Sequence, residues 1–212
     1  MIAVQQLTFS PIQENTYVLY NESGEAFIID PGMYFPAEKQ ALKEYLDSNE
    51  LRLTKLLQTH CHLDHVFGSK WVHETYGLEM HLHPLEEKVL SFAPASGQMW
   101  GLNFDNYSGP LHFLNEGDEV LLAGDKLEVL FAPGHSPGSI CFYCRAQKFI
   151  IGGDVLFDGS IGRTDLPGGD HATLISSIKQ KLLVLDDDVI VYSGHGPQTT
   201  IGKERRSNPF LV

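Results

Sequence analysis

Residues 58–69 read QTHCHLDHVFGS, and within them His60, His62, Asp64 and His65 crowd four potential metal ligands or acid–base groups into six positions. A fold that buries such a cluster without partners loses roughly 2–7 kcal/mol per polar group. The stretch therefore demands a structure that gives these side chains a common partner. On an extended segment His60 and His62 share one face, because side chains alternate with a period of two. They can then serve one ion together. The chain must turn before the helix expected at 66–76, and that turn re-aims Asp64 and His65 towards a second ion. Cys61 points away from both histidines under the same alternation and reads as a small packing residue.

Three further candidates occupy the same kind of place, just past the end of a predicted strand. APGHSPGS (132–139) carries His135 after a strand at 126–131. IGGDVLF (151–157) carries Asp154 after a strand at 147–152. YSGHGP (192–197) carries His195 after a strand at 188–192. Glycines beside these sites allow sharp turns and close backbone approach. The full set is His60, His62, Asp64, His65, His135, Asp154 and His195, five imidazoles and two carboxylates. A catalytic zinc uses about three protein ligands plus water, so seven exceed the needs of one ion. Two ions ~3.5–4 Å apart sharing one carboxylate fit the number.

The other histidines, His73, His81, His83, His112 and His171, stand alone and read as surface or structural residues, and Asp30 reads as a turn residue or cap after a strand. Cys141 and Cys144 lie three apart on a predicted strand at 139–144, on opposite faces, and read as two core thiols. Short strands are also expected at 2–9, 15–20, 25–30, 53–59, 78–83 and 119–122, with helices at 36–48 and 171–183. Pro36 suits a first helical turn, and Asp170 suits an N-cap. Residues 84–113, rich in Pro, Gly, Ser and aromatics, read as an irregular segment. Its Met99, Trp100, Phe104 and Tyr107 form either a wall of the substrate pocket or a loop packed over the core. β-meanders with interspersed helices predict a layered α/β protein with helices outside.

The 212 residues are enough for one domain with a full core, and a single domain over 1–212 is expected. The formal charge of −12 disfavours nucleic acid as a partner. No apolar run reaches the ~20 residues of a membrane span, and the N-terminus lacks a signal-peptide pattern. With three cysteines, too few for a disulfide framework, the expected compartment is the cytoplasm and the expected partner a small-molecule substrate. Nothing in the sequence specifies an oligomeric state.

THCHLDH resembles the H-x-H-x-D-H signature of the metallo-β-lactamase-fold hydrolases, and GHSPGS, GGDVLF and SGHGP are similar to that family's later ligand motifs in the same order. The resemblance extends back through ENTYVL and IIDPG. It implies a four-layer αββα sandwich with the metals at one edge of two sheets. It implies one metal on His60, His62 and His135, the other on Asp64, His65 and His195, and Asp154 bridging, with Asp64 and Asp154 the catalytic carboxylates. GSIGRTDLPGGD (159–170) and the C-terminal GHGPQTTIGKERRSNPFL look most like short glyoxalase II-like (hydroxyacylglutathione hydrolase-like) enzymes. Glyoxalase II itself has an added C-terminal helical segment that helps to hold glutathione, and the resemblance does not reach that segment. The implied activity is two-metal hydrolysis of a thioester or related ester, a metal-bridging hydroxide attacking the carbonyl. Zn²⁺ is the expected ion, with iron or manganese as alternatives. Cys61 and the GRTD stretch are also similar to iron-dependent persulfide dioxygenases of the same fold, the second reading. Arg163 either pairs with Asp165 to pin its loop, the preferred role, or meets substrate.

Overall fold

The computed structural model describes residues 1–212. Two six-stranded sheets stack face to face. The first runs β1 (Ala3–Phe9), β2 (Glu14–Tyr20), β3 (Glu25–Ile29), β4 (Arg52–Leu57), β5 (Met80–Leu82) and β6 (Leu111–Phe113) in that spatial order. The second contains β7 (Glu119–Leu122), β8 (Asp125–Phe131), β9 (Ile140–Cys144), β10 (Phe149–Gly153), β13 (Ile190–Ser193) and β14 (Thr199–Thr200), ordered β14-β13-β10-β9-β8-β7. A two-stranded ribbon, β11 (Leu156–Phe157) with β12 (Ser160–Ile161), sits beside the end of β10.

Alternation along the strands sorts the apolar residues into three layers. Tyr17, Leu19, Phe27, Ile29 and Leu57 of the first sheet meet Val129, Phe142 and Ile151 of the second in the central core. Val18, Ile28 and Leu56 face the other way, onto α1 (Pro36–Ser48), α3 (Ser69–Tyr76) and α4 (Glu87–Trp100). Leu130, Tyr143, Ile150 and Val191 face α5 (His171–Ser177), its π-helical continuation Ile178–Leu182, and α6 (Ile201–Ser207). This is the four-layer αββα arrangement. Cys144 lies in the central core and Cys141 in the outer one, both buried and unpaired, as their spacing requires. No helix is long and apolar enough to cross a membrane.

Two local readings need correction, and one helix had no reading. Residues 84–113 are not irregular: they hold α4 and β6. Pro94 and Gly97 mask the helix in sequence, because both are poor helix interior residues. Burial of Leu90, Ala93 and Gly97 against the first sheet's outer layer compensates. Helix 66–76 is two pieces, α2 (Leu63–Val66) and α3, separated where Gly68 donates its N–H to the Pro31 carbonyl at 2.7 Å. The C-terminal α6, capped by Thr200 accepting from Lys203 N–H, was not foreseen.

Candidate metal centre

Strands β8, β10 and β13 run in one direction, since β9 is antiparallel to both β8 and β10, and β10 is parallel to β13. Their C-terminal ends open onto the same edge as the end of β4, where Ile140 N–H donates to the Thr59 carbonyl at 2.9 Å across the sheets. The four ligand segments therefore converge. Asn15 and Tyr17 tie this edge from β2: the Asn15 amide donates to the carbonyls of Ser193 and Gly196, and the Tyr17 hydroxyl donates to Ser193 at 2.6 Å. At Gly194 a Cβ would lie 2.1 Å from Asp154 Oδ1, so only glycine lets the β13 end pass this close.

All seven predicted side chains meet there. His62 Nδ1 is 2.8 Å from His135 Nε2, which is 3.2 Å from His60 Nε2. On the other side, His195 Nε2 lies 3.1 Å from Asp64 Oδ2, and His65 Nε2 lies 3.9 Å from the same oxygen. Asp154 stands between the groups. Its Oδ1 is 3.4 Å from His65 Nε2, and its Oδ2 is 3.5 Å from His135 Nε2 and 3.6 Å from His195 Nε2. The turn that re-aims Asp64 and His65 is α2 itself, whose first two ligand-bearing positions are consecutive on a single helical turn.

Hydrogen bonds fix which ring nitrogens face inward. Carbonyl oxygens only accept, so His135 Nδ1–H donates to Arg163 O at 2.7 Å and His195 Nδ1–H donates to Gln13 O at 3.1 Å. His65 Nδ1–H donates to Asp30 Oδ2 at 3.0 Å. The Thr59 hydroxyl spends its hydrogen on Asp30 Oδ2 at 2.5 Å and so accepts from His60 Nδ1–H at 3.1 Å. Four imidazoles are thereby held with bare Nε2 lone pairs turned to the centre. Such outer partners commonly set the tautomer of metal-binding histidines. His65 Nε2 and Asp154 Oδ1 are buried with no hydrogen-bond partner at all. Four Nε2 atoms converging beside two carboxylates, with one nitrogen and one oxygen lacking any partner, fit a bound cation.

Protonation preferences agree. Burial, reinforced by neighbouring imidazoles, holds His60 well below the usual histidine range and lowers His62 to about 3. Burial also lowers His135. Burial alone would raise Asp154 and Asp64, but the charge of His65 and hydrogen bonds from the imidazoles outweigh it and hold both low. The two aspartates in turn raise His65 and His195 against the effect of burial. The centre thus keeps its carboxylates ionised and favours positive charge beside them. Two triads offer ligand atoms within 4.8 Å of one another, His60/His62/His135 and Asp64/His65/His195. Asp30, His60 and His65 meet the same distance test. Asp30 is already occupied by Thr59 N–H at 2.7 Å, the Thr59 hydroxyl and His65, so its role is support.

Asp30 is therefore more than the turn residue read from sequence. Its φ of 51° is tolerated by Asp, and its side chain organises two histidines. Glu86 was also missed. Buried at the head of α4, it accepts from Cys61 N–H and Gly138 N–H at 2.7 Å and from the Ser136 hydroxyl at 2.5 Å, clamping two ligand loops together. Neither residue had a sequence signal beyond being an acid near a strand or helix end. Cys61 is buried in the outer core and its thiol faces no ligand. Cys61→Ser is expected to keep full metal content by elemental analysis and most activity, at a stability cost of about 1–3 kcal/mol for a buried hydroxyl. His60→Ala is expected to lose the ion of its own triad, and with it the activity.

The centre floors a cleft of 580 Å³. Of the five pocket candidates, Trp100 and Arg163 line it, and Met99, exposed on α4, does not. Phe104 and Tyr107 do not. Phe104 packs edge-on against Phe67, and the Tyr107 hydroxyl bridges Met80 N–H and Pro110 O within the core. Arg163 forms a two-pronged pair with Asp165, both bonds 2.7 Å, while its carbonyl orients His135. His83 stacks on Phe131 and His81 on His112, away from the centre.

This fold and donor set define a class. The profile of the metallo-beta-lactamase superfamily matches residues 10–195, and the chain belongs to that superfamily of metal-dependent hydrolases. It is 41% identical over 210 residues to the hydroxyacylglutathione hydrolase GloC of Haemophilus influenzae, covering 98% of this chain and 97% of that one. The crystal structure of BLEG-1 B3 metallo-beta-lactamase superposes with a TM-score of 0.91 at 40% identity, over 99% of this chain and 100% of that one. The structure of TTHA1623 in a di-iron-bound form gives a TM-score of 0.88 at 38% identity, over 98% and 100%.

Proposed function

We propose that the protein is a two-metal hydrolase of thioesters or related esters, glyoxalase II-like in its chemistry. The observation that carries this is the pair of ligand triads with Asp154 between them, open to a cleft. In this reading His60, His62 and His135 hold one divalent ion, Asp64, His65 and His195 hold the other, and Asp154 is common to both. Bound ions of this kind acidify water and polarise a carbonyl, and zinc does so without redox chemistry.

The remaining work falls to the chain. Asp64 lines the cleft, and a carboxylate oxygen not spent on the ion would orient the attacking water by accepting a hydrogen from it. Asp154 lines the same cleft and fixes the spacing of the two triads. The acid–base groups lining the cleft are the ligands themselves, Arg163, and Asp158, which is bonded to Lys203. That leaves no free general acid for a leaving group. A thiol with a pKa of about 8.5 departs as thiolate without one, whereas an amide nitrogen requires a proton. A thioester is accordingly favoured over a β-lactam. The relative named hydroxyacylglutathione hydrolase matches along nearly its whole length, which supports the same bond type here.

A di-iron form of one structural relative, together with Cys61 and GRTD, supports the iron-dependent dioxygenase as the second reading. Reconstituting metal-free protein with Zn²⁺ or Fe²⁺ separates the two. The zinc form is expected to cleave acyl thioesters under strict anaerobiosis. Activity confined to the iron form, with stoichiometric oxygen uptake on a persulfide and no thioester cleavage by either form, would reverse the assignment.

A further inference from the structure

Above the ligand groups the cleft is walled by Ile12, Leu63, Trp100, Phe157 and Leu166. Ser96 and Trp100, four apart on α4, present one helical face to it. Leu63 is buried, but the Trp100 indole is 58% exposed and forms no aromatic pair within the protein. A large ring half in water at the mouth of a cleft gains by being covered. The cleft's charged walls offer nothing comparable for an anion. Outside the ligand groups Arg163 is its one cationic side chain, and the Nε/Nη2 fork is taken by Asp165. Asp158, on the same wall, adds negative charge beside Lys203. A tripeptide thiol such as glutathione brings two carboxylates that would find no free cation on these walls.

We infer that this wall is an apolar subsite, with Trp100 as its outer face, and that the substrate carries an uncharged hydrophobic group next to the scissile bond. The inference rests on the hydrolase reading for its chemistry but not for its binding. Each methylene fully covered by such a wall is worth about fourfold in binding. Trp100 contributes through contact with the substrate, being outside the ligand set and at the solvent-exposed end of α4.

The test uses the zinc-loaded full chain and uncharged compounds, most of them built on N-acetylcysteamine. Calorimetry compares its S-hexyl and S-methyl thioethers, which cannot be hydrolysed. Kinetics compares its hexanoyl and acetyl thioesters, and acetyl thioesters of hexanethiol and ethanethiol to place the group on the thiol side. The longer compound is expected to be preferred by at least about tenfold in binding, and in kcat/KM on one of the two sides, which is less than full burial of the added methylenes would give. Trp100→Ala is expected to shrink that ratio about fivefold, and Trp100→Phe to restore most of it. Equal binding of both thioethers overturns the subsite. Length-dependent binding with no cleavage of any thioester leaves the subsite standing and rejects the hydrolase reading instead. Length-dependent binding with kcat/KM flat in both series overturns the assignment of the subsite to substrate.

Discussion

Asp154→Ala is expected to empty both ligand groups at once. Every other candidate ligand belongs to one triad, so its loss should leave the second triad intact. Asp154 alone faces both, with Oδ1 towards His65 and Oδ2 towards His135 and His195. Removing it also deletes much of the negative charge that makes a cation welcome beside two imidazoles biased towards protonation. Elemental analysis after dialysis should show close to two divalent ions per wild-type chain and near none in the variant. Hydrolysis should fall far beyond the ~10–100-fold typical of losing an outer partner of a metal site. Asp154→Asn keeps the shape and drops the charge. If it loads like the wild type, charge is not what holds the ions. An alanine variant still carrying two ions would remove the shared role altogether.

Asp30 is expected to give the second largest effect, although it is placed here as no ligand. Its carboxylate accepts from Thr59 N–H, the Thr59 hydroxyl and His65 Nδ1–H, all buried. Asp30→Asn retains tolerance of the left-handed backbone at φ 51° but turns an NH₂ towards one of these donors. Either the Thr59 contact breaks or His65 loses the bond that keeps its Nε2 bare. Ion affinity, measured by competition with a chelator, should fall about 10–100-fold. Thermal unfolding of the metal-free protein should register a loss of about 1–3 kcal/mol for the stranded donor. Asp30→Ala should be less stable still, because alanine adds the cost of a left-handed backbone. Unchanged affinity in the asparagine variant would mean that His65 does not need Asp30 to hold its tautomer.

The sequence by itself determined the elements that obey a local rule. Period-two alternation placed Cys141 and Cys144 on opposite faces of β9, and the strand-then-glycine pattern located the segments bearing His135, Asp154 and His195 before any tertiary contact was known. The H-x-H-x-D-H spacing marked the centre because chemistry alone explains that density of ligands. The tertiary structure decided what depends on partners distant in the chain. Helix α4 exists despite Pro94 and Gly97 because Leu90 and Ala93 pack on a sheet and Glu86 bonds across to the loops at 61 and 136–138. Its folding brings Trp100 to the cleft and sends Phe104 and Tyr107 into the core, a choice the aromatic composition of 84–113 left open. Asp30, Asn15 and the Arg163 carbonyl gain their roles from hydrogen bonds to residues 28 to 181 positions away. Local sequence could not announce them, because a hydrogen bond has meaning only once the fold has chosen its partner.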